Sequence, residues 1–185
     1  MRLQIVTRGS QQEGLGHLIR TRTFAKAAER THDVEAVALA PEELRIVLAG
    51  LSCPIHLVSQ DGDVLPLLRA FRPDAVVFDL TRIDKEVFLA ARQIPLLTAS
   101  LSPVFEHMAL LNVLFTRAGR TAPLPGVRVY SGLKYAVFSN LCTPIDDATY
   151  ERALAQPALP IAVCMGGADA ANQTRTVVQA LSSLE

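Results

Sequence analysis

The residues best suited to chemistry lie near the start of the chain, in the turn Gly14-Leu15-Gly16-His17, with Arg20 three positions on. A glycine-rich turn between a first strand and a helix lets a ligand approach the backbone closely. The helix N-terminus adds free N–H groups and a partial positive charge. His17 falls in the first turn of that helix, where the dipole disfavours imidazolium. A neutral histidine at the rim of a cleft is suited to act as a general base. Arg20 lies on the same side of the helix, placed for an anionic group or a carboxylate partner. The same residues are equally those of a tight turn with a surface histidine.

Asp79 closes the apolar run Asp74-Ala75-Val76-Val77-Phe78. Ligands of open α/β sheets bind beyond the C-terminal strand ends, near the point where strand order reverses. First and fourth strands often flank that point, so Asp79 is expected to face His17 and to orient or polarise it. Its alternative role is a helix N-cap or a solvated loop acid. Ser100, Ser102 and Asn112 border later apolar runs and are weaker candidates to line the same cleft. Gly166-Gly167, ahead of a last helix, has the composition to admit a diphosphate or to pack against a neighbouring backbone. His32, His56 and His107 are poor candidates, and no His/Cys/Asp/Glu set has metal-ligand spacing. A dinucleotide fingerprint is demoted. Ile19 stands where the third glycine belongs, and the second strand ends Leu39-Ala40-Pro41 without an acid. No Gly-Lys-Ser/Thr phosphate loop occurs.

Positioning these groups requires strands and helices in alternation. Apolar runs predict strands over 3–7, 34–40, 55–58, 75–78 and 95–99. Helices are expected over 15–30, 42–49, 63–71 and 84–92, with Gly50 and Arg72-Pro73 as stops. That rhythm predicts an α/β fold with a doubly wound, mostly parallel sheet. After Ser100 the pattern loosens, with short apolar runs at 110–115 and 127–130. Residues 1–142 read as one domain, 143–160 as a linker around a short helix, and 161–185 as the opening βα unit of a second domain. In that unit, 161–165 is expected as a strand and 172–184 as a helix. A lone βα unit cannot bury both faces, so the chain reads as cut just inside a second domain. The alternative is that the last helix folds back on the first.

Composition narrows the function classes. The 185 residues carry 18 basic and 18 acidic side chains, no footprint for nucleic acid. Cys53, Cys142 and Cys164 are too widely spaced for a disulfide framework and are expected as reduced, mostly buried thiols of a cytoplasmic protein. No run approaches a membrane span or a signal peptide.

Several segments, in order, carry a family resemblance. They are Arg8 with Gly14-Leu15-Gly16-His17-Leu18-Ile19-Arg20 and Phe24-Ala25; Val76-Val77-Phe78-Asp79; Leu110-Leu111-Asn112-Val113; Ser131-Gly132-Leu133-Lys134-Tyr135-Ala136; and Val163-Cys164-Met165-Gly166-Gly167-Ala168-Asp169. Together they resemble the UDP-sugar hydrolase of pseudaminic acid synthesis and the related spore-coat polysaccharide glycosyltransferase-like proteins. More distantly, the pattern is similar to the N-acetylglucosaminyltransferase of peptidoglycan synthesis. The resemblance implies a GT-B architecture of two Rossmann-like domains, with His17 as base, Asp79 beside the sugar, and Gly14 and Gly16 near the diphosphate or sugar. Gly166 and Gly167 would begin the nucleotide side. It implies a UDP-sugar donor, a sugar or lipid-linked acceptor, no cofactor and no metal. It leaves room for peripheral membrane association and is silent on oligomeric state. Leu80-Thr81 and Ala99-Ser100-Leu101-Ser102 depart from the hydrolase, which is expected to have an aromatic residue and an acidic pair there. Transfer is therefore the first expectation, in surface-polysaccharide or glycan synthesis, and hydrolysis the second. A non-catalytic sugar- or nucleotide-binding module is the third.

Overall fold

A computed structural model describes residues 1–103, 106–117, 122–139, 141–156, 161–164, 169 and 171–183. Seven strands form one sheet: β1 (Arg2–Arg8), β2 (Asp33–Leu39), β3 (Ile55–Val58), β4 (Ala75–Asp79), β5 (Leu97–Ser100), β6 (Val113–Thr116) and β7 (Arg128–Ser131). Their order is β3-β2-β1-β4-β5-β6-β7, and every pairing is parallel. The order reverses between β1 and β4, so the chain is a doubly wound α/β protein of the Rossmann-like kind.

The central strands are apolar on both sides because helices cover both faces. All five residues of β4 are buried, as are the middle five of β1. One face packs Val6, Val37, Val76 and Phe78 against α2 (Val64–Phe71) and α3 (Lys85–Ala91). Phe78 and Phe88 meet there with ring centroids 5.0 Å apart. The other face packs Leu3, Ile5, Val34 and Val77 against Ala25 of α1 (Gly16–Ala28). Residues 42–48 form a 3-10 helix rather than an α-helix; Gly50, at φ +86°, follows it. Arg72 adopts the left-handed conformation that ends α2, directly before Pro73.

Beyond Ser131 no described residue is buried. Helices α4 (Asp147–Leu154) and α5 (Gln173–Ser182) form, α4 within the expected linker and capped by Asp146 accepting from Thr149 N–H at 2.7 Å. That bond holds the Asp146 carboxyl below its ordinary range. The strand expected over 161–165 is not found: 161–164 have no strand pairing, and Met165 lies outside the described residues. An apolar run becomes a strand only where another edge supplies backbone partners, and no described strand supplies them here. Cys142 and Cys164 are exposed, correcting the expectation of burial; only Cys53 is partly covered. Among the described residues no helix is long and apolar enough to cross a membrane.

The β1–α1 loop carries a packing constraint that its composition did not single out. A Cβ added at Gly9 would stand 2.6 Å from both Cγ and Cδ1 of Leu18, a fully buried side chain. A Cβ at Gly16 would meet nothing within 4 Å. Gly9→Ala is therefore expected to lose about 1–3 kcal/mol by overpacking, whereas Gly16→Ala should change stability by no more than about 1 kcal/mol. Urea denaturation of the two variants checks this; equal losses would contradict the packing argument.

Candidate functional site at the sheet's switch point

Parallel register sets the site. Thr7 of β1 pairs with Asp79 of β4 at the C-terminal end of both strands, beside the reversal of strand order. Thr7 Oγ1 donates to the Asp79 carbonyl at 3.0 Å, holding the end of β4 against β1. The chain then leaves the sheet and turns at Gly14, whose φ of +89° suits glycine. Gly14 N–H donates to Ser10 O at 2.9 Å and Glu13 N–H to Ser10 Oγ at 3.0 Å. Arg82 Nε donates to Glu13 at 2.7 Å and ties the loop to the segment after β4. Helix α1 then starts with no side-chain cap and no acid in its first turn.

The first two turns of α1 deliver three side chains to Asp79, whose carboxylate has no exposed surface. His17 Nδ1 lies 2.8 Å from Asp79 Oδ1. Arg20 Nε donates to Oδ2 at 2.9 Å and reaches Oδ1 at 3.1 Å, and its Nη2 also donates to Oδ1. Thr21 Oγ1 lies 3.4 Å from Oδ2. From the far side, Ser102 Oγ donates to Leu80 O at 3.1 Å and stands 3.4 Å from Oδ1. A buried carboxylate must be paired and hydrogen-bonded; Arg20 supplies the pairing charge.

The contact selects a histidine tautomer. A bare Nδ1 lone pair would face the lone pairs of Oδ1 at 2.8 Å, which is repulsive. Nδ1 therefore carries the proton and donates it to Asp79, and Arg20 Nη2, at 2.9 Å from Nδ1, is a close neighbour rather than a donor to it. The lone pair is left on Nε2, which bonds to no described protein group. His17 keeps 21% of its side-chain surface exposed, against 15% for Arg20. Histidine oriented by a carboxylate, with its second nitrogen bare, can accept a proton from a hydroxyl or a water in the cleft.

The other candidates separate. Ser100 is buried one strand over and donates to Phe78 O at 3.0 Å; its Oγ also meets the backbone of Ser102, so it shapes the turn that carries Ser102. Asn112 is a correction. It precedes β6, at the opposite, N-terminal end of the sheet, and its Oδ1 accepts from the Thr98 N–H and hydroxyl at 2.8 Å each. A side chain spent on joining β5 to β6 there cannot reach a ligand beside His17. Gly166 and Gly167 lie outside the described residues. His107 is a core residue, stacked on Phe88 and bonded to Ile83 O at 3.0 Å. The Cys53 thiol is pushed up by burial and by nearby Glu29, which makes it a poor nucleophile. Among the described residues no cluster of three or more His, Cys, Asp or Glu could hold a metal ion.

Two contributors were not singled out as site residues by the sequence, Thr21 and the Arg8–Asp61 pair. Thr21 follows His17 by four positions, so helical periodicity is the signal that places it on the same face. Arg8 and Arg82 line a groove of about 420 Å³ beyond the ends of β1, β2 and β3. Arg8 pairs there with Asp61, and its Nε is buried without a partner among the described residues.

The class defined by this fold and site is a Rossmann-like α/β domain with a histidine–carboxylate–arginine cluster at its switch point. Comparison with protein-family models and with curated proteins yields no match for the chain.

Removing the Asp79 carboxylate would strand the Arg20 guanidinium. Asp79→Ala is expected to cost about 3–5 kcal/mol, as for breaking a buried pair. His17→Ala leaves the Arg20–Asp79 pair intact and should stay within about 1 kcal/mol of the parent. Chemical denaturation of both variants distinguishes a shared structural role from the division described.

Proposed function

We propose that this chain is the acceptor-side half of a two-domain nucleotide-sugar enzyme, a UDP-sugar-dependent glycosyltransferase of surface-polysaccharide or glycan synthesis. The observation that supports it most is the Nδ1–H bond from His17 to Asp79, which leaves Nε2 bare at the C-terminal ends of the strands. In this reading Nε2 takes the proton of an acceptor hydroxyl as its oxygen attacks the anomeric carbon. The bond from that carbon to UDP breaks, and UDP leaves with the electron pair. Asp79 holds the ring and faces the imidazolium that forms, while Arg20 keeps the carboxylate paired throughout. Gly16, with open space around a Cβ position, gives the substrate room to approach the helix end.

Asp79 is buried under α1, so in this reading it acts on the sugar through His17 rather than by touching it. Leu80 is fully buried in the core, so the position after Asp79 does not form a wall of the cleft. Its departure from the hydrolase pattern thus says little about the sugar.

The test is UDP release by the protein at the length its gene encodes, incubated with UDP-sugars with and without sugar or lipid-linked acceptors. Acceptor-dependent release that falls roughly 10²–10⁴-fold in His17→Ala, the usual worth of a general base, supports transfer. Acceptor-independent release that falls equally marks a hydrolase with water in the same place. Release untouched by His17→Ala would sink both mechanisms. Saturable binding without turnover marks a binding module. Gly16→Ala should lower turnover or raise KM while leaving stability intact.

A further inference from the structure

The groove beyond the ends of β1, β2 and β3, about 420 Å³ in volume, falls in the range of about 300–1,000 Å³ usual for ligand pockets. None of His17, Arg20 and Asp79 lines it. One part of its lining is aliphatic: Leu39, Ala40 and Pro41 where β2 ends, and Val58 where β3 ends. Gly9 N–H donates to Leu39 O at 3.2 Å and fixes the β1–α1 loop beside them. The rest of the lining is polar. Gln12 and Ser59 are exposed, and neither side chain has a hydrogen-bond partner among the described residues.

The charged groups of the groove are already paired. Arg8 is held by Asp61, whose other oxygen accepts from the Asp84 N–H at 2.7 Å. Arg82 turns two nitrogens to one oxygen of Glu13, Oε1, which leaves Oε2 open. Arg8 Nε is a buried donor with no partner among the described residues.

These features select a class of ligand. An anion would compete with Asp61 and Glu13 for guanidinium groups that are neutralised already. A cation would meet two arginines. A nucleobase would find no aromatic side chain in the lining to stack on. A neutral sugar ring fits both parts of the groove. Its C–H face covers the aliphatic part, and its hydroxyls both donate and accept, as Gln12, Ser59 and Glu13 Oε2 require. A ligand oxygen beside Arg8 would also offset the cost of the unpaired Nε. We propose that this groove is a binding site for a neutral oligosaccharide, separate from the His17 cleft. Binding does not rest on the proposed transferase reading and is measured without turnover.

The experiment presents the protein, at the length its gene encodes, to an array of immobilised neutral and acidic oligosaccharides. A retained neutral oligosaccharide is then titrated calorimetrically. Neutral oligosaccharides are expected to bind, with an affinity that holds from about 0.1 to about 1 M salt, because no net charge is neutralised. Ser59→Trp, which fills the groove from an exposed position, should abolish binding. Gln12→Ala with Ser59→Ala should weaken it roughly tenfold, a few-fold for each hydrogen bond lost. Both positions are exposed, and circular dichroism checks that the fold is kept. Arg92→Trp, exposed at the end of α3, should bind as the parent does and controls for the added indole. The proposal is overturned if no neutral oligosaccharide binds at millimolar concentration, or if Ser59→Trp binds as the parent does. Loss of binding in Arg92→Trp equal to that in Ser59→Trp also overturns it. Retention of acidic oligosaccharides alone, released by salt, overturns it in favour of an anion site. Binding that His17→Ala loses and Ser59→Trp keeps overturns it too, and puts the sugar beside His17. If the groove binds sugar while UDP-sugar turnover is absent, the site stands and the catalytic reading fails.

Discussion

The carboxylate of Asp79 has no access to water, and much of the architecture around it follows from that constraint. An ionised group in such a place must meet an opposite charge and fill its remaining lone pairs. The partners come from α1, which brings His17, Arg20 and Thr21 to one point, and from the turn after β5, which brings Ser102 close by. These bonds set the rotation of α1 on the sheet and its distance from the end of β4. A helix turned by one residue would replace Arg20 with an apolar or uncharged neighbour and leave the carboxylate unpaired. Packing alone, through Ala25 and Leu18, would tolerate more slip than that.

The same arrangement divides labour between neighbouring charges. Asp79 is committed to Arg20, so the site holds a paired cation and anion together with a histidine of fixed tautomer. A single proton-accepting nitrogen is left without a partner among the described protein groups. The loop between β1 and α1 keeps this geometry by different means. Gly9 lets the loop pass against Leu18, Gly14 permits the turn, and the Glu13–Arg82 bond holds the outer edge. Catalytic groups are most precise when carried on regular elements. In the proposed reading the histidine and its orienting acid meet that condition, since His17 sits on a helix and Asp79 on a strand.

Much of the fold was legible because each central element has an unambiguous local pattern. Ala75-Val76-Val77-Phe78 has no polar face, which only a strand covered on both sides can use, and β4 is that strand. Pairing of Asp79 with the region of His17 was also legible, since both follow from position in a βα unit and from the usual switch point. Arg20 was left between two roles, an anion clamp and a carboxylate partner, because helical spacing gives direction but not distance. At 161–164 the local pattern and the structure differ. Ile161-Ala162-Val163-Cys164 has strand composition, yet composition supplies no partner edge.

By itself the sequence determined the alternation of strands and helices, the parallel sheet that alternation requires, and the residue types available at the first turn. These are local properties, set by periodicity, by glycine and proline, and by the need to cover both faces of an apolar strand. The tertiary structure alone decided which candidates meet. It took Asn112 to the far end of the sheet because β6 begins there, and spent Ser100 on backbone bonds. It buried Asp79 deeply enough to demand Arg20, and so turned His17 to present Nε2. Those outcomes depend on contacts between residues up to 62 positions apart. Such distances are governed by strand register and by the pairing of buried charge, which no local pattern encodes.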